Sequence, residues 1–291
     1  MEGKPLISVV IPTFNRRCTV ERAIISALGQ SYPSIEVVVV DDGSLDGTEE
    51  VLSRFKSDAR FKYLYQQNRG QSAARNKGIA ASAGELIAFL DSDNYWDVDK
   101  LASQLEYWDL NRGYDILYSE VTHLYDNGET SPGDSRKRHS GMILKKLLLS
   151  NFITNNTVLV PRRCFDELGA FDESLRIAED YDLWLRFSTR YTFLYHPEKV
   201  AYYSSFGVRL SADEELNIEV NLQILSRFLE RHADIVPPRL HKRALGRLLT
   251  RQTESRWNRG SRPPLRQILR ALAFSPENPS AWRHLLKFML R

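Results

Sequence analysis

The sequence predicts an α/β protein built on a doubly wound, mostly parallel sheet with a C-terminal helical appendage. Two features of residues 7–91 predict the sheet: short aliphatic runs alternate with amphipathic segments of helical period, and each run ends in turn-forming polar residues. A third observation predicts the appendage. From Ala212 onward the strand pattern gives way to a basic, mainly helical stretch, broken at Pro237-Pro238 and Pro263-Pro264.

The elements follow in order. ISVVIP (7–12), IEVVVVDD (35–42) and ELIAFLD (85–91) are short, mostly β-branched or aliphatic runs ending in turn-forming residues, the mark of buried strands. TVERAIISALGQ (19–30) places Ala23, Ile24, Ala27 and Leu28 on one helical face and stops at Gly29. DGTEEVLSRFKS (46–57) carries acids in its first turn, which suits a helix N-terminus. FKYLYQ (61–66) reads as a strand and the Ala-rich GQSAARNKGIAASAG (70–84) as a helix. Further on, 98–111 reads as a helix and 114–125 as a strand. Asp126-Asn127-Gly128 is a hairpin-turn signal, and 128–141 a polar loop. GMILKKLLLS reads as a helix, NTVLVPR as a strand, AEDYDLWLRFSTR (178–190) as a helix, and YTFLYHP and VAYYSSF as two short strands. The expected division is 1–211 for the sheet domain and 212–291 for the basic helical region.

In open α/β sheets ligands bind outside the carboxyl ends of the strands. Those ends carry Pro12-Thr13-Phe14-Asn15, Asp41-Asp42-Gly43-Ser44 and Asp91-Ser92-Asp93. Residues i and i+2 of an extended chain point to one side, so Asp91 and Asp93 can share a ligand. The competing reading is a turn or helix start, with Asp97 or Asp99 as the cap.

Composition narrows the class. At 291 residues, 42% hydrophobic and 26% charged, the chain has ample material for a core. Its longest apolar runs, VVVV and LIAFL, are too short to span a bilayer, and the N-terminus lacks the pattern of a signal peptide. Cys18 and Cys164 have neither metal-ligand spacing nor a disulfide framework, which fits a reduced, cytoplasmic setting. The net charge of +3 is uneven: residues 231–291 carry +11 and the rest −8. A basic region of this kind meets anionic lipid, phosphorylated substrates or nucleic acid, or is simply a solvated helical tail.

Taken together, SVVIPTFNR, EVVVVDDGSLDGT, NRGQSAARNKGI, GELIAFLDSDNYW and AEDYDLWLR resemble an inverting family 2 glycosyltransferase of the GT-A fold, across residues 6–211 and in the expected order. The resemblance implies transfer of a sugar from a nucleotide-sugar, UDP-linked by default with GDP or dTDP as alternatives. The acceptor would be a glycan or lipid-linked hydroxyl, in cell-surface polysaccharide or glycolipid synthesis. It implies a divalent cation, Mn²⁺ or Mg²⁺, held by Asp93 with Asp91, and a nucleotide pocket of Pro12, Thr13, Phe14, Asp42, Arg75, Asp91 and Ser92. Asp180 matches the catalytic base, which takes the proton of the attacking hydroxyl. Asp182 competes for that role, and Glu179 orients the base or touches acceptor. Relatives carry a Y-R-x-H-x-x-S-x-S stretch where this chain has Phe206 at the His position; either Arg209 supplies the compensating positive charge to the diphosphate, or activity is weaker or differently supported.

Other classes remain open at this level. A nucleotidyltransferase also pairs such a sheet with carboxylate-bound metal, but PTFNRR has no Gly-rich phosphate loop. No G-x-G-x-x-G follows the first strand, against a dehydrogenase. A non-catalytic sugar-nucleotide or membrane-surface module is the alternative from outside enzymes. Nucleic acid is not expected as a partner. Peripheral contact of the C-terminal helices with an anionic membrane is, at the inner face. The loops at 126–141 and 151–157 are expected to set the sugar and acceptor.

Overall fold

The computed structural model describes residues 4–125, 130–131, 137–204 and 213–290. The chain divides into two compact units, Met1–Ile143 with Phe152–Gly207, and Leu144–Asn151 with Val208–Arg291.

In the first unit the aliphatic runs form β1 (Ile7–Thr13), β2 (Ile35–Asp41), β3 (Phe61–Tyr65) and β4 (Leu86–Phe89), joined by α1 (Val20–Leu28), α2 (Thr48–Ser53) and α3 (Gln71–Ala81). They pair in parallel in the order β3-β2-β1-β4, and a short β8 (Val160–Pro161) adds antiparallel to β4. Period-two alternation assigns the two faces. Ile7, Val9, Ile11, Val37 and Val39 pack with Val20, Ala23, Ile24 and Ala27 of α1, while Val38 and Val40 pack with Ala74 of α3. Helices on both faces make the sheet doubly wound, as the sequence predicts.

The parallel register matters for function. Thr13 pairs with Asp41 and Asp41 with Tyr65, so the strands end level with one another. β4 lies on the other side of β1 from β2, so the chain reverses its winding direction between β1 and β4. Loops diverge at such a switch point and leave a crevice.

A second sheet, ordered β5-β9-β6-β7, consists of β5 (Tyr95–Trp96), β6 (Ile116–Leu124), β7 (Thr130–Ser131) and β9 (Phe193–Ser204). The pattern YTFLYHP and VAYYSSF, which reads as two strands, is one strand of 12 residues. Its pairing with β6 jumps from Tyr118–Tyr195 to Glu120–Lys199, a bulge at Pro197 and Glu198, since Pro cannot donate to a ladder. β5 and α6 (Arg162–Leu168) carry no periodicity long enough to be read from sequence. The remaining helices here are α4 (Lys100–Leu110) and α7 (Glu179–Phe187). Cys18 is exposed and Cys164 buried, both as free thiols.

The second unit contains α5 (Leu144–Leu147), α8 (Glu214–Arg231), α9 (Pro238–Asn258), α10 (Leu265–Phe274) and α11 (Pro279–Met289). The predicted proline breaks are helix starts, where a missing N–H costs nothing. Glu215 receives Arg256 and Arg259 at 2.8 and 2.7 Å, tying α8 to α9. Among the described residues no helix is long and apolar enough to cross a membrane.

Gly78 lets α3 approach β1: a Cβ there would run into Val10 Cγ1. Alanine gains about 1 kcal/mol of helix propensity over glycine, but overpacking costs about 1–3 kcal/mol. Gly78→Ala is therefore expected to lower stability by about 1 kcal/mol, seen as a reduced urea midpoint at unchanged m-value. A raised midpoint would mean that α3 moves freely off the sheet.

Candidate active site

The crevice at the strand ends is fixed by loops laced to one another. After β1, Asn15 adopts a left-handed conformation (φ 52°), which Asn tolerates. Its side-chain oxygen accepts the Leu45 amide at 2.8 Å while its own amide donates to Ser44 Oγ at 2.9 Å. Asp46 receives the Arg17 amide at 3.0 Å. These contacts present Thr13 and Phe14 at the crevice, with Phe14 as an exposed aromatic.

Asp42 is buried, and its carboxylate receives Gln66 Nε2 at 2.7 Å and the amides of Arg69 and Gly70 at 2.9 and 2.8 Å. A carboxylate has about four acceptor positions, so one remains for a ligand donor.

Arg75 is the centre of the site. It is buried on α3, and its guanidinium donates to Asp91 Oδ1 at 2.6 Å and to Glu179 Oε1. It lies over the Phe171 ring at 5.3 Å, and its Nε has no protein partner. Burial disfavours the guanidinium charge, but Asp91 and Glu179 outweigh it and hold the proton more tightly than water would.

The D-x-D carboxylates are not equivalent. The Asp91 amide donates to Asn156 Oδ1 at 2.6 Å, and Asn156 Nδ2 donates to Asp91 Oδ2 at 2.9 Å. Asp91 is thus held on both oxygens. Ser92 is buried. Asp93 is partly exposed and has Arg16 Nη2 at 3.9 Å. Behind the loop, Arg22 donates to the Asp93 carbonyl at 3.1 Å and to Ser204 Oγ at 2.9 Å, and lies 4.4 Å over the Tyr95 ring. Tyr95 in turn stacks on Tyr202 at 4.6 Å, so this clamp joins the D-x-D loop to the end of β9.

The acids of α7 have separate environments. Ala178 enters the helix in a left-handed conformation (φ 58°), a strained entry for a residue with a Cβ. Glu179 accepts Gln71 Nε2 at 2.7 Å as well as Arg75. Asp182 is paired with Arg186 one turn on, at 2.9 Å. Asp180 is half-buried; among the described residues its carboxylate accepts only the Tyr181 amide, at 2.7 Å. Burial first, and the adjacent Glu179 charge second, push its carboxyl up to about 7 against the pull of Arg75 and the helix N-terminus.

The profile of glycosyl transferase family 2 matches residues 8–169, more than half of the chain and spanning the crevice. The chain belongs to glycosyl transferase family 2. It is 31% identical over 238 residues to an uncharacterized glycosyltransferase of Rickettsia prowazekii, covering 78% of this chain and 72% of that one. It spans between 26% and 58% of the length of three other rickettsial glycosyltransferases that it matches at 32–33% identity over 63% of its own length. Over 106 residues it is 44% identical to the putative teichuronic acid biosynthesis glycosyltransferase TuaG of Bacillus subtilis, 36% of this chain and 42% of that one. The fold matches S. aureus TarS 1–349 in complex with UDP-GlcNAc at a TM-score of 0.66 and 21% identity, covering 92% of this chain and 79% of that chain. The complex with UDP matches at 0.64 and 22% identity, covering 87% and 73%.

Within this family 2 chain the structure gathers Asp91, Arg75 and Glu179 into one cluster and places Asp180 beside Glu179. Phe206 and Arg209 lie outside the described residues. Asn156, Arg16, Arg22 and Gln71 escape sequence reasoning. Only Gln71 left a signal, four residues before Arg75 on the same helix face. Among the described residues no cluster of three or more His, Cys, Asp or Glu is placed to hold a metal. The two carboxylates of the D-x-D, Asp91 and Asp93, still fit Mg²⁺ or Mn²⁺, which use one or two carboxylates plus substrate phosphates and water.

Removing Arg75 strands two carboxylates against each other. Arg75→Met is expected to cost about 3–5 kcal/mol of stability in denaturant unfolding, and adding Glu179→Gln should recover part of it. If the double variant were no more stable than the single one, the lost packing of Arg75, not the stranded charge, would account for the cost.

Proposed function

We propose that this protein is an inverting glycosyltransferase that moves a sugar from a nucleoside-diphosphate sugar, UDP-linked, to an acceptor hydroxyl in cell-surface glycan synthesis. The observation that carries the reading is the isolation of Asp180. Glu179 and Asp91 are committed to Arg75 and Asp182 to Arg186, while Asp180 keeps a carboxyl raised to about 7. A single in-line displacement needs one such base, deprotonated near the working pH. The fold neighbour holding UDP-GlcNAc supports the donor class, and the similarity to TuaG, a putative teichuronic acid biosynthesis glycosyltransferase, supports the surface-glycan setting.

In this mechanism Phe14 and the remaining acceptor position of Asp42 receive the base, and Asp91, held by Arg75 and Asn156, faces the ribose. Asp93 with Asp91 would hold Mn²⁺ or Mg²⁺, which supplies neutralisation of charge on the departing diphosphate. Arg16, beside Asp93, adds a second positive group there. Asp180 accepts the proton of the acceptor hydroxyl as that oxygen attacks the anomeric carbon, and Glu179 keeps the acid beside it fixed. The strained turn at Ala178 aims both acids.

Asp180→Asn is expected to lower turnover by about two to four orders of magnitude with donor affinity nearly unchanged. The wild-type kcat/KM should fall tenfold per pH unit below about 7, because the base is then protonated. A carboxyl raised in the folded state favours folding when protonated. That contribution is full below about pH 4 and is lost as the pH rises to about 7. Asp180→Asn should therefore be more stable than wild type at pH 8, with the gap closing in acid. Normal turnover in this variant would move the base to another acid.

Asp93→Ala tests the metal. Calorimetry should show loss of Mn²⁺-dependent UDP binding with an unchanged melting profile; undiminished binding would remove Asp93 from the metal site.

A further inference from the structure

The apolar residues of α10 and α11 divide into two sets, and the unit's own packing uses only one. Ile268, Ala271 and Leu272 of α10 and Ala281 of α11 are buried around Leu249 of α9, with Leu285 and Phe288 against them. The other set faces outward. On α11 and its C-cap, Trp282, Leu286, Met289 and Leu290 fall at i, i+4, i+7 and i+8, a single stripe, and are 50%, 53%, 63% and 86% exposed. On α10, Leu265 and Leu269 stand one turn apart and are 41% and 49% exposed.

Charge accompanies this stripe. Arg266 and Arg270 follow Leu265 and Leu269 by one position each, and Arg283 and Lys287 follow Trp282 and Leu286 in the same way. One position is about 100° around a helix, so the cations line one edge of each stripe. The four are exposed, and among the described residues none of them forms an ion pair with an acid. Residues 262–290 contain one acid, Glu277. Internal contacts engage three cations at this surface without neutralising them. Arg283 donates to Ser280 Oγ at 2.7 Å, Lys287 lies 4.5 Å over the Trp257 ring, and Arg262 donates to the Phe288 carbonyl at 2.8 Å.

We infer that the outward face of α10 and α11 is a docking surface for an anionic lipid bilayer. Leu286, Met289, Leu290 and Trp282 enter the head-group boundary, and Arg266, Arg270, Arg283 and Lys287 meet the lipid phosphates. Apolar stripe and cationic edge together are the pattern of a helix lying in an interface. A polyanion such as nucleic acid would match the cations and leave six large apolar side chains in water. A second copy of this chain would match the stripe and oppose cation to cation. Only an anionic interface satisfies both halves. The helices are too short to span the bilayer, so the contact is peripheral.

Co-sedimentation of the full chain with vesicles tests this directly, with a melting curve for each variant. The protein should pellet with phosphatidylcholine vesicles containing phosphatidylglycerol at low salt, and neither with pure phosphatidylcholine nor at high salt. Leu286→Glu with Met289→Glu should abolish pelleting without altering the melt, because both positions are exposed. Arg283→Gln with Lys287→Gln should weaken partitioning by about five-fold per charge removed. Wild type and Leu286→Glu/Met289→Glu pelleting alike would overturn the proposal, and so would no pelleting at all. Sedimentation velocity separates the self-association alternative. A vesicle-indifferent dimer dissolved by Leu286→Glu would assign the stripe to a second copy.

Discussion

The site depends on one buried cation. Arg75 reaches from α3 to Asp91 at the end of β4 and to Glu179 at the start of α7, elements far apart in sequence. A guanidinium suits this task because its planar fork presents several donors in fixed directions and stays charged when buried. The carboxylates it holds are ordered with their charge offset, and the acid next to Glu179 is left to titrate. Burial, and after it the Glu179 charge, raise the Asp180 carboxyl; Arg75, whose hydrogen bonds go to the two neighbours, opposes them only through space.

Around that cation, loop amides do much of the positioning. Asp42 is fixed by the Arg69 and Gly70 amides, Asp46 by that of Arg17, and Asp91 offers its own amide to Asn156. Short polar side chains at strand ends are suited to this, because they satisfy backbone groups that a turn would otherwise leave unpaired. The second sheet contributes support from behind. Arg22 spans the Asp93 carbonyl and Ser204 while Tyr95 and Tyr202 stack beneath it, and the Trp96 indole donates to the Asn156 carbonyl at 2.8 Å. Trp96 itself rests 4.1 Å from the amine of Lys100, a fully buried lysine that burial pushes well below its ordinary range and whose Nζ donates to Gln104 at 2.8 Å. Polar groups this deep are tolerated because they are paired.

The two units use electrostatics differently. In the first, Arg75 and Glu179 are buried and paired at the crevice. In the second, most cations are exposed; Glu215 binds two arginines, whereas the cations of α10 and α11 have no acid partner among the described residues. Exposed charge of one sign adds little to stability and acts mainly on what approaches the surface.

The four parallel strands of the first sheet, the alternation that makes it doubly wound, and the acids and aromatic at the strand ends are legible in the sequence alone. Aliphatic runs of strand length have few other stable uses, and polar residues that close such runs must lie at the sheet edge. The helix starts at Pro238 and just after Pro264 are equally legible, because proline is locally prescriptive. Strand order was left to the tertiary structure, since strands buried on both faces carry no polar side to orient them. The continuity of β9 through Pro197 depended on its partner β6, and the two-residue β5 on β9. The roles of neighbouring acids were decided the same way. Glu179, Asp180 and Asp182 are indistinguishable in sequence as acids of a helix's first turn; they part company only because Arg75 and Gln71 take one, Arg186 takes another, and burial is left to act on the third. A side chain's chemistry is local, but its pKa and its partners are set by whatever the fold brings against it.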